Sequence, residues 1–351
     1  TRVRSSAASD VYKRQVSGGV RNRILSIVNS LRKTGLQVEY FNKYETKIKD
    51  YDVLHVFMLK EDSYTLIKYA KENGLKVIIS SVVILSGALQ LKLYWALRKI
   101  PIMTTYKILF NICDLADSII AETKKEAEFL EQYYHVPKSK IIVIPNGADR
   151  ITSNGRSIYE VIGKECDYAL EVGRFDKNKN QFAVINAMKD TNIDVVFIGG
   201  ESSVEREYYQ KCLEAAEGSS NIHFLGWLNR EDELLKSAYC NAKVIVSSSF
   251  NETFGLTIIE GIMAGAIPII SNTLPILDYK ALNGCTTFSP SNEADIREKI
   301  TRVMNTSSDQ LKLEDMRRRV DSEFSWDEVA RKHIEVYGES VSYTHLTLPT
   351  I

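Results

Sequence analysis

Short apolar segments alternate with longer amphipathic segments along most of the chain. The apolar segments are rich in β-branched residues and bounded by polar ones, which predicts short strands. These strands are predicted at residues 36–41, 53–57, 77–81, 118–121, 141–144, 168–172, 193–198, 222–225, 244–248, 267–271 and 286–288. Residues 20–34 and 326–337 place apolar side chains at helical spacing and predict helices. Strands that alternate with helices of this length are typical of βαβ units, so the pattern predicts parallel sheets.

The alternation is interrupted over residues 146–163, where Gly, Ser, Asn and Asp are frequent. This interruption separates two series of strands. We therefore predict an α/β protein with two Rossmann-like, doubly wound parallel-sheet domains, residues 16–148 and residues 149–322, followed by a terminal helix within residues 323–340. The length of 351 residues agrees with two domains that each bury a core.

The two ends of the chain lack this pattern. Residues 1–15 show neither helical nor strand periodicity, and residues 341–351 resemble a strand with nothing to pair with. Both resemble translated read-through from sequencing adapters, and we expect them to be non-native tails. A natural disordered tail is the alternative. If residues 1–15 are a tail, the first strand of the N-terminal domain is expected to be missing.

Composition narrows the class of protein. The chain has 45 Lys+Arg and 45 Asp+Glu, and this balance argues against a nucleic-acid-binding protein, which needs an excess of cations. The 44% of hydrophobic residues argues against disorder. Five scattered cysteines without a CxxC pair argue against a disulfide framework or a zinc site. Because neither a signal peptide nor an apolar run of bilayer length is visible, we expect a cytoplasmic protein.

The clearest candidate chemistry follows the predicted strand at 244–248. Glu252 lies in the loop, and Phe254, Gly255 and Leu256 begin a predicted helix whose first-turn amides can hold an anion. Glu260 lies about two turns into this helix, among apolar neighbours. A carboxylate is costly to bury there unless it has a binding partner. A carboxylate can grip two neighbouring hydroxyls, as on a ribose. The structural alternative is that Glu252 caps the helix and Glu260 lies on a solvated face.

These residues form an E-x7-E pattern from Glu252 to Glu260, followed by GIMAGAIPII at residues 261–270. The pattern resembles the signature of retaining nucleotide-sugar glycosyltransferases of the GT-B fold, glycosyltransferase group 1 or family 4 type. Similar motifs follow the family's order at residues 144–149 (IPNGAD), 172–180 (VGRFDKNKN), 224–227 (FLGW) and 324–326 (FSW). The resemblance covers about residues 16–338. It implies two facing Rossmann-like domains and a terminal helix that crosses back to the first.

The resemblance also implies a site, residue by residue. Arg174 and Lys179 resemble the pair that neutralises the donor diphosphate, and Glu252 resembles the residue that holds hydroxyls of the donor sugar. These three are the predicted catalytic residues, and Glu260 is expected to hold the ribose. The other predicted donor contacts are Gly18, Gly19, Phe254, Gly255, Leu256, Gly226, Trp227 and Leu228. Without the resemblance, Arg174 and Lys179 would be interpreted as a solvated basic loop.

The resemblance implies an enzyme of the hexosyltransferase type that moves a sugar from a nucleoside-diphosphate sugar to a hydroxyl acceptor with retention. The acceptor is expected to be a saccharide or a lipid-linked saccharide of bacterial surface polysaccharide or glycoconjugate synthesis. No metal and no cofactor are expected, since the cations and helix amides can stabilise the departing diphosphate. The histidine that many family members place near the reacting sugar has no counterpart, because residues 80–83 read Ser-Ser-Val-Val.

Several alternatives stay open. The chain could be a non-catalytic nucleotide-sugar-binding subunit, or a nucleotide-sugar epimerase of the same fold. A dinucleotide-dependent oxidoreductase is disfavoured, because no predicted strand is followed by G-x-G-x-x-G. Trp227 fits core packing and a nucleobase border equally well. The basic, apolar stretch at residues 91–112 suits either core-packing helices, which we favour, or peripheral contact with the inner face of the plasma membrane.

Overall fold

The computed structural model describes residues 4–8, 19–202, 204–306 and 310–342. The chain divides into two compact units. Unit 1 comprises Thr1–Gly147 and Ser325–Ile351, and unit 2 comprises Ala148–Phe324. The last segment of the chain therefore belongs to the same unit as the first.

Within the described residues, each unit is built on a six-stranded parallel sheet. The strands of unit 1 are β1 (Arg4–Ala8), β2 (Gln37–Phe41), β3 (Val53–Phe57), β4 (Lys76–Ser80), β5 (Ser118–Ala121) and β6 (Ile141–Val143), in the order β2-β1-β3-β4-β5-β6. The strands of unit 2 are β7 (Tyr168–Val172), β8 (Asp194–Ile198), β9 (Ile222–Phe224), β10 (Val244–Ser247), β11 (Ile267–Ser271) and β12 (Thr286–Phe288), in the order β12-β11-β10-β7-β8-β9. The predicted pair of doubly wound parallel sheets is confirmed.

Helices connect the strands of both sheets. In unit 1 they are α1 (Gly19–Lys33), α2 (Tyr64–Glu72), α3 (Ala88–Ala96), α4 (Thr105–Leu115) and α5 (Lys124–Tyr133). In unit 2 they are α6 (Ser157–Ile162), α7 (Gln181–Met188), α8 (Arg206–Ala215), α9 (Glu233–Asn241), α10 (Leu256–Ala264), α11 (Glu293–Asn305) and α12 (Gln310–Phe324). The last helix, α13 (Trp326–Ser342), returns to unit 1. No described helix is long and apolar enough to cross a bilayer.

The apolar stripe of α1 shows how the helical pattern becomes packing. Ile24, Ile27 and Leu31 recur at helical spacing and are buried against the sheet of unit 1. The same cluster takes in Val329 and Tyr337 of α13, which are also buried. The last helix thus completes a core that begins more than 300 residues earlier in the chain.

The expectation that the first strand is missing is wrong. Arg4–Ala8 forms β1, which pairs in parallel with β2 on one side and β3 on the other. The residues of this strand, Arg-Ser-Ser-Ala-Ala, carry no apolar alternation, so the hydrophobic pattern gives no signal. Backbone pairing with two neighbours forms the strand instead. Whether residues 1–15 are a read-through product stays a prediction.

The other end also differs from the expectation. Helix α13 continues to Ser342, so Val341 and Ser342, which we assigned to the tail, are its last two residues. Residues 343–351 lie outside the described residues.

Candidate functional site

The sheet of unit 2 has a topological switch point between β7 and β10. From β7 the chain moves outward to β8 and β9 on one side, and it then returns to place β10 on the other side of β7. The loops after β7 and β10 therefore leave the same sheet edge in opposite directions and open a crevice there. In open α/β sheets, ligands bind at this position.

Both of these loops carry predicted site residues, and the structure joins the loops to each other. The backbone N–H of Phe250 donates to the carbonyl of Asn178 at 2.8 Å, and the Asn178 side chain donates to the carbonyl of Asn251 at 2.6 Å. The Ser248 hydroxyl donates to the carbonyl of Lys179 at 2.7 Å. The loops at residues 173–180 and 248–255 thus form one continuous wall.

Lys179 and Glu252, both of which the resemblance places at the donor site, meet in this wall. The Lys179 Nζ lies 2.8 Å from Glu252 Oε1, and the Ser249 hydroxyl donates to the same oxygen at 2.7 Å. The side chains are 25% and 13% exposed, so the pair is mostly shielded but reaches solvent. A carboxylate held by two donors in a half-buried site keeps one orientation, which is what a binding group needs.

Arg174 lies in the same loop and leaves most of its guanidinium in solvent. Its side chain is 64% exposed and donates to Asp176 from Nε and Nη2 at 3.2 and 3.0 Å. Asp176 in turn accepts from the backbone N–H of Lys179 at 2.9 Å. One carboxylate therefore positions both predicted cations, and Arg174 keeps donors available for an incoming anion.

Glu171, on β7, supports this wall from the core, and the sequence analysis missed it. Its Oε1 accepts from the Ser248 hydroxyl at 2.6 Å, while its buried Oε2 has no hydrogen-bond partner among the described residues. Burial raises the pKa of Glu171 to about 7, opposed by the hydrogen bonds from Ser248 and by the charge of Lys179. The signal was present, since Glu171 is the acidic residue in the otherwise uncharged strand Tyr-Ala-Leu-Glu-Val.

Glycines bring the loops after β7, β8 and β9 into contact. The N–H of Gly173 donates to Ile198, and the N–H of Gly199 donates to Gly226, at 2.9 and 2.8 Å. Gly199 has a φ of +153°, and a Cβ there would lie 1.9 Å from the carbonyl oxygen of Gly173. Only glycine permits this approach of two backbones. The loop that carries Arg174 is thereby fixed from both sides.

The predicted helix after Glu252 begins at Leu256, with Gly255 before it in the left-handed region at a φ of +106°. Phe254 is buried and packs edge-on against Phe324 and Tyr279, with ring centroids 5.6 and 6.0 Å away. Its side chain therefore anchors the loop, and only its backbone is left for a ligand. The amides of Leu256 and Thr257 follow directly at the N-terminus of α10, and the third first-turn amide, that of Ile258, donates to the carbonyl of Gly255 at 3.1 Å.

Glu260 is already engaged by protein groups. Its Oε1 lies 3.1 Å from Arg230 Nη2, and its Oε2 accepts from the Tyr239 hydroxyl at 3.2 Å. Arg230 also pairs with Asp149 at 2.6 Å. Burial raises the pKa of Glu260, and the charge of Arg230 opposes that rise. The sequence analysis did not single out Arg230 or Tyr239, since each lies on a different element from Glu260.

The remaining predicted donor contacts lie in different surroundings, some exposed and some packed against the core. Trp227 is 60% exposed, so the core-packing alternative for this residue is wrong. It follows Gly226, whose φ is +68°, while Leu228 packs against an apolar cluster of unit 2. In unit 1, Gly19 is the first residue of α1, and Gly18 lies outside the described residues.

Unit 1 has buried polar groups of its own near the carboxyl ends of its strands. Arg23 of α1 pairs with Glu122, and both are buried; within the described part of the chain, Arg23 Nε and Nη2 have no hydrogen-bond partner. Glu126 accepts from the Ser81 hydroxyl at 2.7 Å, and burial raises its pKa to about 7. His55 is buried between Tyr337 and Ser80, with a pKa well below its ordinary value because of burial, as expected for a core residue.

Two family models match the chain. Residues 17–150 match the family described as "Glycosyltransferase Family 4", and residues 160–320 match the family described as "Glycosyl transferases group 1". The second match contains the joined loops after β7 and β10. Together the two models span most of both units.

Relatives and solved structures agree with these matches. The chain is 26% identical over 237 residues to the O-antigen chain mannosyltransferase C of Escherichia coli, a match that covers 63% of this chain and 60% of that protein. The match thus spans less than two thirds of this curated relative. Sucrose-phosphate synthase from Thermosynechococcus elongatus has a TM-score of 0.75 at 16% identity, over 97% of this chain and 100% of that one.

A second structure, Anabaena HepE in complex with UDP and glucose, has a TM-score of 0.72 at 14% identity, over 96% of this chain and 100% of that one. At such identities the structural likeness establishes the fold. Combined with the two family matches, it shows that the chain belongs to the glycosyltransferases of the group 1 and family 4 type and has the GT-B fold.

Proposed function

We propose that this chain is a retaining glycosyltransferase that moves a sugar from a nucleoside-diphosphate donor to a hydroxyl acceptor. The observation that carries the proposal is the joined wall of unit 2, where Lys179 and Glu252 lie 2.8 Å apart beside Arg174 and the start of α10. Two cations, a fixed carboxylate and free helix amides at a switch point match the parts of a sugar diphosphate. The alternative of a solvated basic loop does not account for the shielded pair.

The cations act on the leaving group. As the glycosidic bond breaks, negative charge develops on the β-phosphate oxygens of the departing nucleoside diphosphate. Arg174 offers planar donors from the solvent side, and Lys179 offers a mostly shielded ammonium. Such fixed charges, with the first-turn amides of α10, stabilise the developing charge without a bound metal. Metal independence is part of the proposal.

Glu252 binds the sugar that is transferred. A carboxylate only accepts hydrogen bonds, so it recognises hydroxyl groups. Lys179 and Ser249 occupy its Oε1 and leave Oε2 for the donor sugar. The reaction is proposed to keep the anomeric configuration, with the departing phosphate accepting the proton of the acceptor hydroxyl. This route needs no histidine in unit 1.

Glu260 is proposed to hold the ribose. Its two oxygens each have one protein partner, and a carboxylate can accept about four hydrogen bonds, so positions for ribose hydroxyls are left. Trp227, exposed and on the loop after β9, is proposed to border the nucleobase. The acceptor is proposed to be a growing saccharide of a surface polysaccharide, which is supported by the E. coli relative named as an O-antigen mannosyltransferase.

Donor binding can be tested with the full chain and a panel of UDP-, GDP- and ADP-sugars in a thermal-shift assay. A ligand that binds the native state raises the apparent stability by RT ln(1 + [L]/Kd), so one base is expected to raise Tm and the others to leave it unchanged. A panel in which no nucleotide sugar shifts Tm would contradict the proposal.

The reaction is then tested with the donor so identified and a panel of saccharide acceptors. We expect product with the anomeric configuration of the donor sugar, followed by NMR, and an unchanged rate in the presence of EDTA. An inverted product or a rate abolished by EDTA would overturn the corresponding part of the proposal. Donor binding with no transfer to any acceptor would favour a binding subunit, and release of an epimerised sugar would favour an epimerase.

A further inference from the structure

Unit 2 has a pocket that is separate from the donor crevice. It lies between the segment at residues 150–154, the C-terminal ends of α9 and α10, and one side of α12, and we call it the α12 pocket. Its volume is about 480 Å³, which is within the range of small-molecule sites. Its lining is made up of described residues and includes none of the predicted donor contacts.

The α12 pocket lies toward the edge of the sheet opposite to the donor crevice. Helices α9 and α10 each connect two parallel strands, so they run against the direction of the strands. Their C-terminal ends, with Cys240 and Ala264, therefore lie near the edge at which β10 and β11 begin. A ligand in this pocket is held away from Lys179 and Glu252, which follow the other ends of the strands.

The more buried part of the lining is apolar. It consists of Ile151, Cys240, Met263 and Ala264, of which Met263 is buried and the others are partly buried. Ile151 and Ala264 pack against the same apolar cluster of unit 2. This part of the pocket therefore offers hydrocarbon surface to the C–H groups of a ligand.

The more exposed part of the lining is polar, and its charges are balanced. Each arginine of the pocket already has a carboxylate partner; the pairs are Arg150 with Asp321, Arg317 with Glu314, and Arg318 with Asp315. An anionic ligand would have to compete with these carboxylates, so the charges do not favour one. The pairs instead place hydrogen-bond donors next to acceptors.

Neighbouring donors and acceptors match the hydroxyl groups of a sugar, because each hydroxyl both donates and accepts hydrogen bonds. The side chains of Thr152 and Asn154 add a further hydroxyl and an amide to the lining. Neither side chain has a partner among the described residues, so both are available to a ligand. The apolar part of the lining then suits the C–H face of a pyranose ring.

We propose that the α12 pocket is a saccharide-binding site that holds a neutral oligosaccharide away from the donor crevice. A chain of pyranose rings has both the hydroxyl groups and the C–H surface that this lining accommodates. A nucleotide or a sugar phosphate fits less well, since it brings a negative charge to arginines that are already paired. The proposal rests on the α12 pocket alone and is independent of the donor site.

The test is protection of Cys240 from alkylation in the full chain. Cys240 is partly buried, and burial raises the pKa of its thiol, so iodoacetamide is used at alkaline pH. The probes are maltotriose, mannotriose and chitotriose, and peptide mass spectrometry measures the rates. We expect at least one probe to slow the alkylation about tenfold at ten times its Kd. Cys166, which is also partly buried but lies outside the pocket, should react at an unchanged rate.

Variants connect this protection to the pocket. Arg318→Ala with Asn154→Ala removes two exposed polar side chains of the lining, and we expect the Kd of the saccharide to rise about tenfold. The matched control Arg302→Ala with Asn305→Ala removes the same two types of side chain at exposed positions of α11 and should keep the wild-type Kd. Both double variants should unfold at the wild-type temperature and keep the Tm rise with a nucleotide sugar.

Three results would overturn the proposal. The first is an unchanged rate at Cys240 with every trisaccharide, even if one of them binds elsewhere on the protein. The second is protection by inorganic phosphate and by none of the saccharides, which would assign the pocket to an anion. The third is an equal change of Kd in the pocket variant and its control. A failure of all nucleotide sugars to raise Tm would contradict the proposed function and would not alter these rates.

Discussion

At the level of single residues, two carboxylates of unit 2, Glu252 and Glu171, have different roles. Glu252 has a lysine and a hydroxyl beside it and reaches solvent, whereas Glu171 lies behind it in the core with one oxygen unpartnered. The Ser248 hydroxyl donates to Glu171, and the Ser248 backbone begins the loop that carries Glu252. Glu171 therefore positions the wall, and Glu252 is exposed to whatever the wall binds.

Removing either member of the shielded pair is expected to lower transfer strongly. Lys179→Ala takes away a cation from the leaving group and leaves Glu252 partly buried without its partner, and Glu252→Gln removes the charge that fixes Lys179. Loss of a transition-state donor such as Lys179, or of the carboxylate that fixes it in place, is expected to lower kcat by about 100-fold or more. Steady-state kinetics with the identified donor checks this. Lys177→Ala, an exposed lysine of the same loop, is the matched control and should keep near wild-type kcat/KM.

Glu171 predicts a particular pH dependence of stability. Its pKa is about 7 in the folded protein against about 4.5 when unfolded, so between these values the native state holds the proton more tightly. Stability contributed by this group is therefore greatest at low pH and falls as pH rises toward 7. Glu171→Gln, which cannot ionise, should escape this loss and be more stable than the wild type at pH 8 by up to about 3 kcal/mol.

Denaturant unfolding of the wild type and Glu171→Gln at pH 5, 6, 7 and 8 measures this difference. The gap between them should be smallest at pH 5 and should grow to a plateau above pH 7. Glu126 in unit 1 is present in both proteins, so its own titration cancels in the comparison. A constant gap across the pH range would show that Glu171 is ionised in the folded state throughout.

At the scale of the element, α10 shows how close packing positions a site. Its N-terminus follows the Glu252 loop, and its body lies directly on β10, where a Cβ at Gly261 would be 2.7 Å from the Cβ of Ile245. The helix reaches the sheet because Gly261 has no side chain. Its C-terminal half then brings Glu260 beside Tyr239 of α9.

Two Gly→Ala substitutions in helices should therefore have opposite effects. Gly261→Ala overpacks the contact between α10 and β10 and should lower the free energy of unfolding by about 1–3 kcal/mol. Gly338→Ala lies in α13, where no atom of the described residues lies within 4 Å of the added Cβ, and it should be neutral or stabilising by up to about 1 kcal/mol. Denaturant unfolding of both variants tests the pair. Equal effects would show that helix propensity, and not the close contact with β10, determines the change in the free energy of unfolding.

At the scale of the whole molecule, the two units differ in how the chain builds them. Unit 2 is one continuous stretch, Ala148–Phe324, whereas unit 1 needs its last helix from the far end of the chain. Val329, Ala330 and Tyr337 of α13 are buried in the cluster that includes α1, and Gly147 lies against Trp326. Folding of unit 1 therefore has to wait for the complete chain.

Fragments of the chain can test this asymmetry. Residues 148–324 alone should unfold cooperatively, because their core is self-contained. Residues 1–147 alone should lack cooperative unfolding, because the apolar stripe of α1 loses its cover. Circular dichroism during denaturant titration distinguishes the two outcomes, and addition of residues 325–342 as a peptide should restore structure to the second fragment. A cooperative transition of residues 1–147 without the peptide would contradict the prediction.

The order of residues along the chain was enough to assign the class of fold and the chemistry of the loops. Apolar segments such as Val53–Phe57 and Tyr168–Val172 were found at their observed bounds, because a strand covered on both faces is apolar at most of its positions. The family motif placed Lys179 and Glu252 in two loops, and their polar character could be recognised without a structure. The strand Arg4–Ala8 was missed because backbone pairing, which leaves no hydrophobic pattern, forms it.

Which of these groups meet, and which are shielded from solvent, became known from the packed fold. Strand order and helix packing bring Glu171 beside Ser248 and Arg230 beside Glu260, although the members of each pair are distant in the sequence. Glu171 and Arg230 were therefore recognised as site residues in the structure. In the same way, the sequence of α3 does not show which of its apolar residues are buried. Packing places one face of the helix in the core and leaves the other in solvent. Contacts between distant residues depend on how the whole sheet is assembled, so the local pattern of hydrophobic and polar residues does not predict them.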